Sequence, residues 1–295
     1  MIFYFWLTRF SYALIIREVM KNSVKDYLSE DIGAGDITTD AIVPEDHVSA
    51  ARIIAKEDGV IAGHLYARAV FEELDSGAIY EDVRKDGDTV NKGEIVAVVR
   101  AKTRAILTGE RVALNLLQRL SGIATTTRKY VDAVGDTGAR ILDTRKTSPG
   151  HREKEKYAVR MGRGLNHRGN LSEMALIKEN HISAAGSIKQ AVSKIRAVSK
   201  VPIEVEVKNM AELEEAMKES VDRIMLDNWD TESMRKAVFF VNRRIPLEVS
   251  GNVTLEKLQE IAQTGVEFIS VGALTHSFKS LDLSLLLEGD IDAYG

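Results

Sequence analysis

Apolar and polar positions alternate in two different ways along the chain, and the change of pattern divides it into two parts. Before the hundredth residue, short alternating runs bounded by turn residues predict strands at 50–55, 60–62, 79–83 and 94–100. Helical spacing predicts helices at 23–29 and 65–74. The turn Glu57-Asp58-Gly59 predicts a hairpin between the first two strands. These elements indicate a small α+β domain.

A long helix with regularly spaced apolar residues (Val112, Leu116, Leu117, Leu120, Ile123) follows this domain. We expect Thr108 to cap its N-terminus and Ser121-Gly122 to break or kink it. Beyond it, apolar β-branched runs alternate with amphipathic helical stretches and predict six strands, at 140–142, 174–177, 203–207, 223–226, 246–249 and 268–271. This alternation is typical of a parallel sheet. Six such units predict an α/β barrel, complete or open.

These patterns predict three segments of chain. Residues 1–22 form an atypical N-terminal extension, residues 23–125 the α+β domain, completed by 278–295, and residues 126–277 the barrel. The extension has two apolar runs separated by Thr8-Arg9, and each is too short to span a membrane. It also lacks the positive charge before the apolar run that a signal peptide has. We therefore expect no membrane anchor.

Composition narrows the function. The chain has 295 residues, no Cys and a net charge of −4. Without Cys there are no disulfides, zinc–thiolate sites or Cys nucleophiles, which is compatible with a cytoplasmic protein. The net charge provides no general attraction for nucleic acid or anionic lipid. Residues 143–181, however, hold nine Lys or Arg and five Asp or Glu. A basic cluster in an acidic protein indicates a small anionic ligand.

Polar residues stand at the carboxyl end of every predicted barrel strand. In chain order they are Asp143-Thr144-Arg145-Lys146, Lys178, Glu206, Asp227-Asn228, Ser250-Gly251-Asn252 and Gly272. A barrel brings these ends to one mouth, where barrel enzymes hold their active sites. We therefore predict a single cavity with cations, carboxylates and a Ser-Gly turn.

The residue types indicate which ligand this cavity takes. Unpaired Lys and Arg favour carboxylate or phosphate oxygens. Glu206 and Asp227 are too few for a metal cage but suit a Mg²⁺ shared with a substrate diphosphate. Ser250-Gly251-Asn252 precedes a helix, where free N–H groups can bind phosphate. His167 has either an anion-binding or a structural role, and His64 is expected at the surface.

The same residues resemble the quinolinate phosphoribosyltransferase family. The resemblance is carried, in order, by residues 30–39, 120–125, 143–150, 156–159, 166–168, 176–181, 226–228 and 271–276. Arg163, Glu179 and Asn252 depart from the family's common Gly, Asp and Gly. A paralogous family linked to molybdate transport is the alternative. A non-enzymatic alternative is a binding module, because residues 86–95 resemble a lipoyl or biotinyl carrier hairpin. The Lys that is modified at the tip of such a hairpin is missing here.

The resemblance implies a hammerhead-like N-terminal sandwich, an open α/β barrel and a homodimer or higher oligomer. It implies a reaction of quinolinate with phosphoribosyl pyrophosphate that yields nicotinate mononucleotide, CO₂ and diphosphate for NAD synthesis. Lys146, Lys178, Glu206 and Asp227 would be catalytic, the two carboxylates facing ribose and Mg²⁺. The other implied substrate contacts are Thr144, Arg145, His167 and Arg168, Ser250, Gly251, Asn252, Val271, Gly272 and Ala273 around the 5′-phosphate, and Arg111 from the neighbouring subunit.

Overall fold

A computed structural model describes residues 23–288 of the chain. The predicted extension at 1–22 and the last seven residues lie outside this range. Within the described range, no helix combines the length and the apolar character needed to cross a membrane. The chain separates into two compact units, one of residues up to Gly122 together with those from Lys279 onward, and one of Ile123–Phe278.

The strands and helices are numbered along the chain. The strands are β1 (Val48–Ala55), β2 (Gly59–Val60), β3 (Ile79–Asp82), β4 (Thr89–Val90), β5 (Ile95–Lys102), β6 (Arg140–Leu142), β7 (Ala175–Ile177), β8 (Ile203–Val207), β9 (Arg223–Asp227), β10 (Leu247–Ser250), β11 (Phe268–Ser270) and β12 (Leu283–Leu287). The helices are α1 (23–32), α2 (Ile37–Ile42), α3 (His64–Leu74), α4 (Thr103–Val134), α5 (Arg152–Met161), α6 (Glu179–Ala185), α7 (Ile188–Val198), α8 (Met210–Ala216), α9 (Thr231–Val241), α10 (Leu255–Ala262) and α11 (Ala273–His276). A 3-10 turn occupies Gly135–Thr137.

The first unit is built on an antiparallel sheet in the order β12-β1-β5-β3. Its core contains Ile53, Phe71, Ile106 and Leu117, each fully buried. The predicted hairpin at Glu57-Asp58-Gly59 is wrong, because β1 pairs with β5 and β12 while β2 pairs with β4. A turn sequence reverses the chain without determining which strands then pair. The expectation of a surface His64 is also wrong, since its ring is buried between the Tyr80 hydroxyl and the Arg84 carbonyl.

Helix α4 differs from its prediction both at its N-terminus and at the expected break, Ser121-Gly122. It begins five residues before Thr108, whose hydroxyl donates to Asp36 instead of capping the helix. It also continues unbroken through Ser121-Gly122. A Cβ at Gly122 would lie 2.2 Å from the Lys279 carbonyl oxygen, so this glycine permits a close backbone approach. The Ser121 hydroxyl accepts the Ala62 N–H at 2.9 Å, which explains a polar residue in a buried turn of the helix.

The second unit contains the six predicted barrel strands, each within two residues of its predicted bounds. They form one parallel sheet in the order β6-β11-β10-β9-β8-β7, with helices in the connections. In this sheet β6 and β7 are the two edges, so the barrel is open and the predicted α/β fold class is confirmed. Side-chain caps from Ser187, Asn209 and Asp230 begin α7, α8 and α9. Because all six strands run the same way, their carboxyl ends lie along one rim.

Candidate active site

A cavity of about 810 Å³ opens at the carboxyl ends of the barrel strands, within the second unit. This volume lies in the range of small-molecule sites. The cavity brings together thirteen of the residues that the sequence predicts: Thr144, Arg145, Lys146, His167, Arg168, Lys178, Asp227, Ser250, Gly251, Asn252, Val271, Gly272 and Ala273. His181, Asn228 and His276 also line it. Two other predicted site residues do not line the cavity. Glu206 forms an ion pair with the lining residue Lys178, and Arg111 lies in the first unit.

The loop after β6 supplies two cations, Arg145 and Lys146, to the cavity. Lys146 is exposed and makes no ion pair with any residue in the range 23–288. The Nε of Arg145 is buried without a hydrogen-bond acceptor among the described residues. A buried, unpaired donor costs free energy unless a ligand satisfies it. Arg145 and Lys146 are therefore arranged to receive anionic oxygens.

Lys178, at the end of β7, differs from Lys146 because it is paired. Its ammonium donates to the Glu206 carboxylate, which stands near the end of the adjacent strand β8. The backbone N–H of Lys178 donates to Nδ1 of His181 at 3.0 Å, which fixes the turn into α6. The sequence predicted both charged residues at the mouth, but it did not predict their pairing across the two strands.

The turns after β9 and β10 are held together by amide side chains. Asp227 lies opposite Ser250 in the parallel register, and the N–H of Asn228 donates to the Ser250 carbonyl at 2.9 Å. Asn252 donates to Oδ1 of Asn228 at 3.1 Å with its own φ at 49°. Asn tolerates this left-handed conformation better than most residues, so the turn accommodates a side chain at this position.

Two glycines keep this rim free of side chains. Gly251 has φ +93°, and a Cβ there would lie 2.2 Å from Oδ1 of Asn228. A Cβ at Gly272 would lie 3.0 Å from Cδ of Lys146 and 3.0 Å from Nε2 of His276. Gly272 precedes α11, where Thr275 donates to the Lys146 carbonyl at 2.8 Å. A side chain at either position would collide with a neighbouring residue, so both turns need glycine where they line the cavity.

Comparison with known proteins identifies the family. The family model described as quinolinate phosphoribosyl transferase, N-terminal domain, matches residues 36–121, and the corresponding C-terminal domain matches residues 123–286. The chain belongs to the quinolinate phosphoribosyltransferase family. The predicted resemblance is therefore confirmed. Residues 86–95, which resemble a carrier hairpin, fall inside the matched N-terminal domain.

Similar proteins span nearly the whole chain. A probable nicotinate-nucleotide pyrophosphorylase [carboxylating] of Bacillus subtilis is 44% identical over 268 residues, which are 90% of this chain and 92% of the relative. A protein of the same name from Synechocystis is 46% identical, over 89% and 90% of the two chains. The structure of NadC from Streptococcus pyogenes matches with a TM-score of 0.88 and 41% identity, covering 90% and 95%. The structure of the nicotinate-nucleotide pyrophosphorylase from Francisella tularensis matches with a TM-score of 0.89 and 41% identity. The match covers 92% of this chain and 96% of that protein.

Two buried acids, Glu204 and Glu248, lie next to the cavity residue His167, and neither was predicted from the sequence. His167 is 9% exposed, and Glu204 and Glu248 are fully buried. Nε2 of His167 is 2.9 Å from Glu204 and 3.7 Å from Glu248. Arg223 and Ser270 donate to Glu248 at 2.7 and 2.5 Å. The sequence feature that could have indicated a buried acid is a Glu within an apolar strand, as in Ile203–Val207, where Glu alternates with Ile and Val.

Burial controls the protonation of this group. Burial, together with the nearby Glu204 carboxyl, raises the pKa of Glu248 to about 7. Burial also raises the pKa of Glu204 and lowers the pKa of His167. The imidazole of His167 is therefore neutral at pH 7. Its expected contact with substrate carboxylates cannot come from a cationic ring.

A second buried cluster fixes the backbone around His167. Asp143 accepts the Lys156 ammonium at 2.5 Å, the His167 N–H at 2.8 Å and the Asn166 amide at 2.6 Å. Lys156 also donates to the His167 carbonyl at 2.8 Å. The backbone of His167 is thus bound from both sides, and the following residue, Arg168, enters the cavity from a fixed point.

Proposed function

We propose that the chain transfers a phosphoribosyl group from phosphoribosyl pyrophosphate to the ring nitrogen of quinolinate, giving nicotinate mononucleotide, diphosphate and CO₂. The observation that carries this proposal is the convergence, in one cavity of a chain from this family, of glycine turns and of cations that are unpaired among the described residues. Relatives with 42–46% identity are named as nicotinate-nucleotide pyrophosphorylases [carboxylating] or quinolinate phosphoribosyltransferases [decarboxylating].

Quinolinate carries two carboxylates, which require cationic partners in the cavity. Arg145 and Arg168 offer planar guanidinium groups suited to carboxylates, and Arg168 is steadied by donation to the Met174 carbonyl at 2.8 Å. Burial and the neighbouring Arg145 lower the pKa of Arg168, although it remains charged at pH 7. Lys146 and Lys178 provide point charges for carboxylate and diphosphate oxygens.

The phosphate of the ribosyl donor needs main-chain donors. Ser250, Gly251 and Asn252 precede α10, while Gly272 and Ala273, after Val271, lead into α11. The first N–H groups of a helix have no partner within it. We place the 5′-phosphate between these two turns, because both line the cavity and neither Gly251 nor Gly272 adds a side chain there.

The residues at the rim fit a Mg²⁺ ion shared with the diphosphate. Asp227 lines the cavity and has Asn228 as a side-chain donor, while Glu206 is paired with Lys178. Two carboxylates suit an ion that keeps several waters and binds substrate phosphates. Asp227 would hold it with support from Glu206, and when bound it would supply positive charge to the diphosphate.

The chemistry then follows from charge placement. The bond from ribose C1 to the diphosphate oxygen breaks with its electron pair leaving on diphosphate, and the quinolinate nitrogen forms the new bond to C1. Asp227 and Glu206 stabilise the positive charge that develops on the ribose. Lys146 and Lys178 stabilise the negative charge of the departing diphosphate. The C2 carboxylate then leaves as CO₂, its bonding electrons remain at C2 beside the cationic nitrogen, and a proton from water completes the product.

We further propose a homodimer in which Arg111 serves the partner's cavity. Arg111 is exposed on α4 and forms no ion pair within residues 23–288. The positions three and four residues later hold Leu114 and Asn115, so no helical ion pair explains it. The cytoplasmic location expected from the sequence stays a prediction.

The proposed function is tested by incubating the purified chain with quinolinate, phosphoribosyl pyrophosphate and Mg²⁺. We expect nicotinate mononucleotide and diphosphate in equal amounts, identified by mass spectrometry. Nicotinate in place of quinolinate serves as the control, because it lacks the second carboxylate. Diphosphate release that is independent of quinolinate, or equal turnover of nicotinate, would contradict the proposal.

A further inference from the structure

The ring of His167 links a buried acid to the backbone of a cavity residue. The backbone N–H of Arg168 donates to Nδ1 of His167 at 2.7 Å. Because a backbone amide can only donate, Nδ1 is an acceptor and carries no proton. In the neutral ring the proton therefore sits on Nε2, which lies 2.9 Å from Oε2 of Glu204. Nε2–H donates to this carboxylate.

We propose that Glu204 is a positioning residue for the reaction. By accepting the Nε2–H of His167, it fixes both the tautomer and the angle of the ring, and Nδ1 of the ring then holds the backbone of Arg168 at the cavity. The inference rests on the proposed function, since it assigns Arg168 to the substrate. His167 acts as the connecting ring in this chain rather than as a cationic ligand.

The surrounding contacts explain why the ring depends on Glu204. Asp143 and Lys156 bind the backbone of His167, and neither forms a hydrogen bond with its ring. Glu248, at 3.7 Å, is beyond hydrogen-bond distance from Nε2 and is itself bound by Arg223 and Ser270. Oε1 of Glu204 makes no hydrogen bond among the described residues, whereas Oε2 lies 2.9 Å from Nε2 of His167, and the Glu248 carboxyl is the other hydrogen-bonding neighbour of Glu204.

The same three side chains could be mistaken for a metal site. One ligand atom from each of His167, Glu204 and Glu248 lies within 4.8 Å of the others. A metal-bound histidine normally donates its other N–H, however, and here Nδ1 is an acceptor. The Arg223 guanidinium, 2.7 Å from Glu248, adds a positive charge that opposes a cation. The geometry favours a hydrogen-bonded chain.

Two substitutions at Glu204 separate hydrogen bonding from charge. Glu204→Met removes the acceptor at similar length, and Glu204→Gln keeps an acceptor oxygen without the charge. We expect Glu204→Met to raise the KM for quinolinate at least about tenfold with a smaller change in kcat, since a buried donor is left unpaired. Glu204→Gln should stay within about threefold of the wild type. The KM for phosphoribosyl pyrophosphate should change little in both.

Thr264→Val is the matched control for loss of a buried hydrogen bond. Thr264 is buried in the same unit, donates to the Ile261 carbonyl at 2.6 Å and does not line the cavity. We expect it to lower the thermal midpoint while leaving the KM for quinolinate unchanged. An unaltered KM in a folded Glu204→Met variant, while the wild type turns over quinolinate, would overturn the positioning role. No turnover by the wild type would instead overturn the proposed function.

The tautomer itself can be observed without any assay or variant of Glu204. In the ¹⁵N-histidine-labelled full chain, with His167 assigned by its loss in His167→Gln, we expect a protonated Nε2 and an unprotonated Nδ1. We expect this ring to protonate only at a pH below that of an ordinary histidine, because burial lowers its pKa. A proton on Nδ1, or a stoichiometric metal ion that survives dialysis and shifts these resonances when removed, would overturn the proposal.

Discussion

Lys146 and Glu248 represent two opposite ways of placing a charged side chain in this barrel. Lys146 is exposed at the cavity with no anionic partner in the described part of the chain, so it costs little in stability and is available to a ligand. Glu248 is fully buried, and its environment disfavours the charged form. Substitution of the first should affect activity, and substitution of the second should affect how stability depends on pH.

Lys146→Ala should lower kcat at least about 100-fold, the typical loss when one preorganised contact to a developing anion is removed. The thermal midpoint should remain within about 2 °C, because the side chain makes no ion pair with any described residue. Lys200→Ala, at an exposed lysine outside the cavity, is the control and should behave like the wild type. Turnover of Lys146→Ala close to that of the control would remove Lys146 from the site.

Glu248 should make the barrel less stable as the pH rises towards neutrality. Its pKa is about 7 in the folded chain, compared with an ordinary value of 4.5. With the folded value raised, its contribution is complete below about pH 4.5 and is lost as the pH rises through about 7. The difference in unfolding free energy between wild type and Glu248→Gln should therefore fall across this interval, as measured by urea denaturation. A difference that is constant with pH would show that Glu248 titrates normally.

At the scale of elements, close backbone approach explains what sequence patterns missed. Gly122 is interpreted from sequence as a helix break, yet it permits α4 to pass beside the Lys279 carbonyl. Gly122→Ala should therefore destabilise the protein by about 1–3 kcal/mol, as expected for overpacking. The usual helical preference for Ala would give the opposite sign. The measurement is chemical denaturation, with Asn115→Ala, at an exposed position of α4, as the control. A stabilised Gly122→Ala variant would contradict the contact.

The barrel strands were predictable because each is a short apolar run bounded by polar residues, and the parallel order places their ends together. Arg145, Lys146, Asp227 and Gly251 could thus be assigned to one cavity from sequence. Pairing across strands could not be assigned, because it depends on register, as in the Lys178–Glu206 ion pair. Buried polar residues were missed for a related reason. A single Glu in an apolar strand does not show that a histidine from a distant loop will bind it.

At the scale of the whole molecule, the proposed dimer makes a quantitative prediction. Arg111→Ala and Lys146→Ala homodimers should both be nearly inactive. If Arg111 serves the partner's cavity, a mixed dimer has one site with both substitutions and one with neither. When equal amounts of the two variants exchange subunits at random, about half of the dimers contain one subunit of each variant. About a quarter of all sites are then intact.

The control for this exchange is Arg111→Ala mixed with itself, treated identically. Recovery of about a quarter of wild-type activity would support the shared site. If subunit exchange is verified by mass spectrometry and activity does not recover, Arg111 serves its own subunit or has no role in the reaction.

The proposed reaction joins quinolinate to a phosphoribosyl group and then removes one carboxylate, so the fate of each carboxylate distinguishes it from other reactions of the same substrates. Quinolinate labelled with ¹³C at the C2 carboxylate should release labelled CO₂ in step with diphosphate, only when phosphoribosyl pyrophosphate is present. Quinolinate labelled at the C3 carboxylate should retain all of its label in nicotinate mononucleotide. Release of label from C3, or CO₂ formation without phosphoribosyl pyrophosphate, would show that the cavity does not catalyse this reaction.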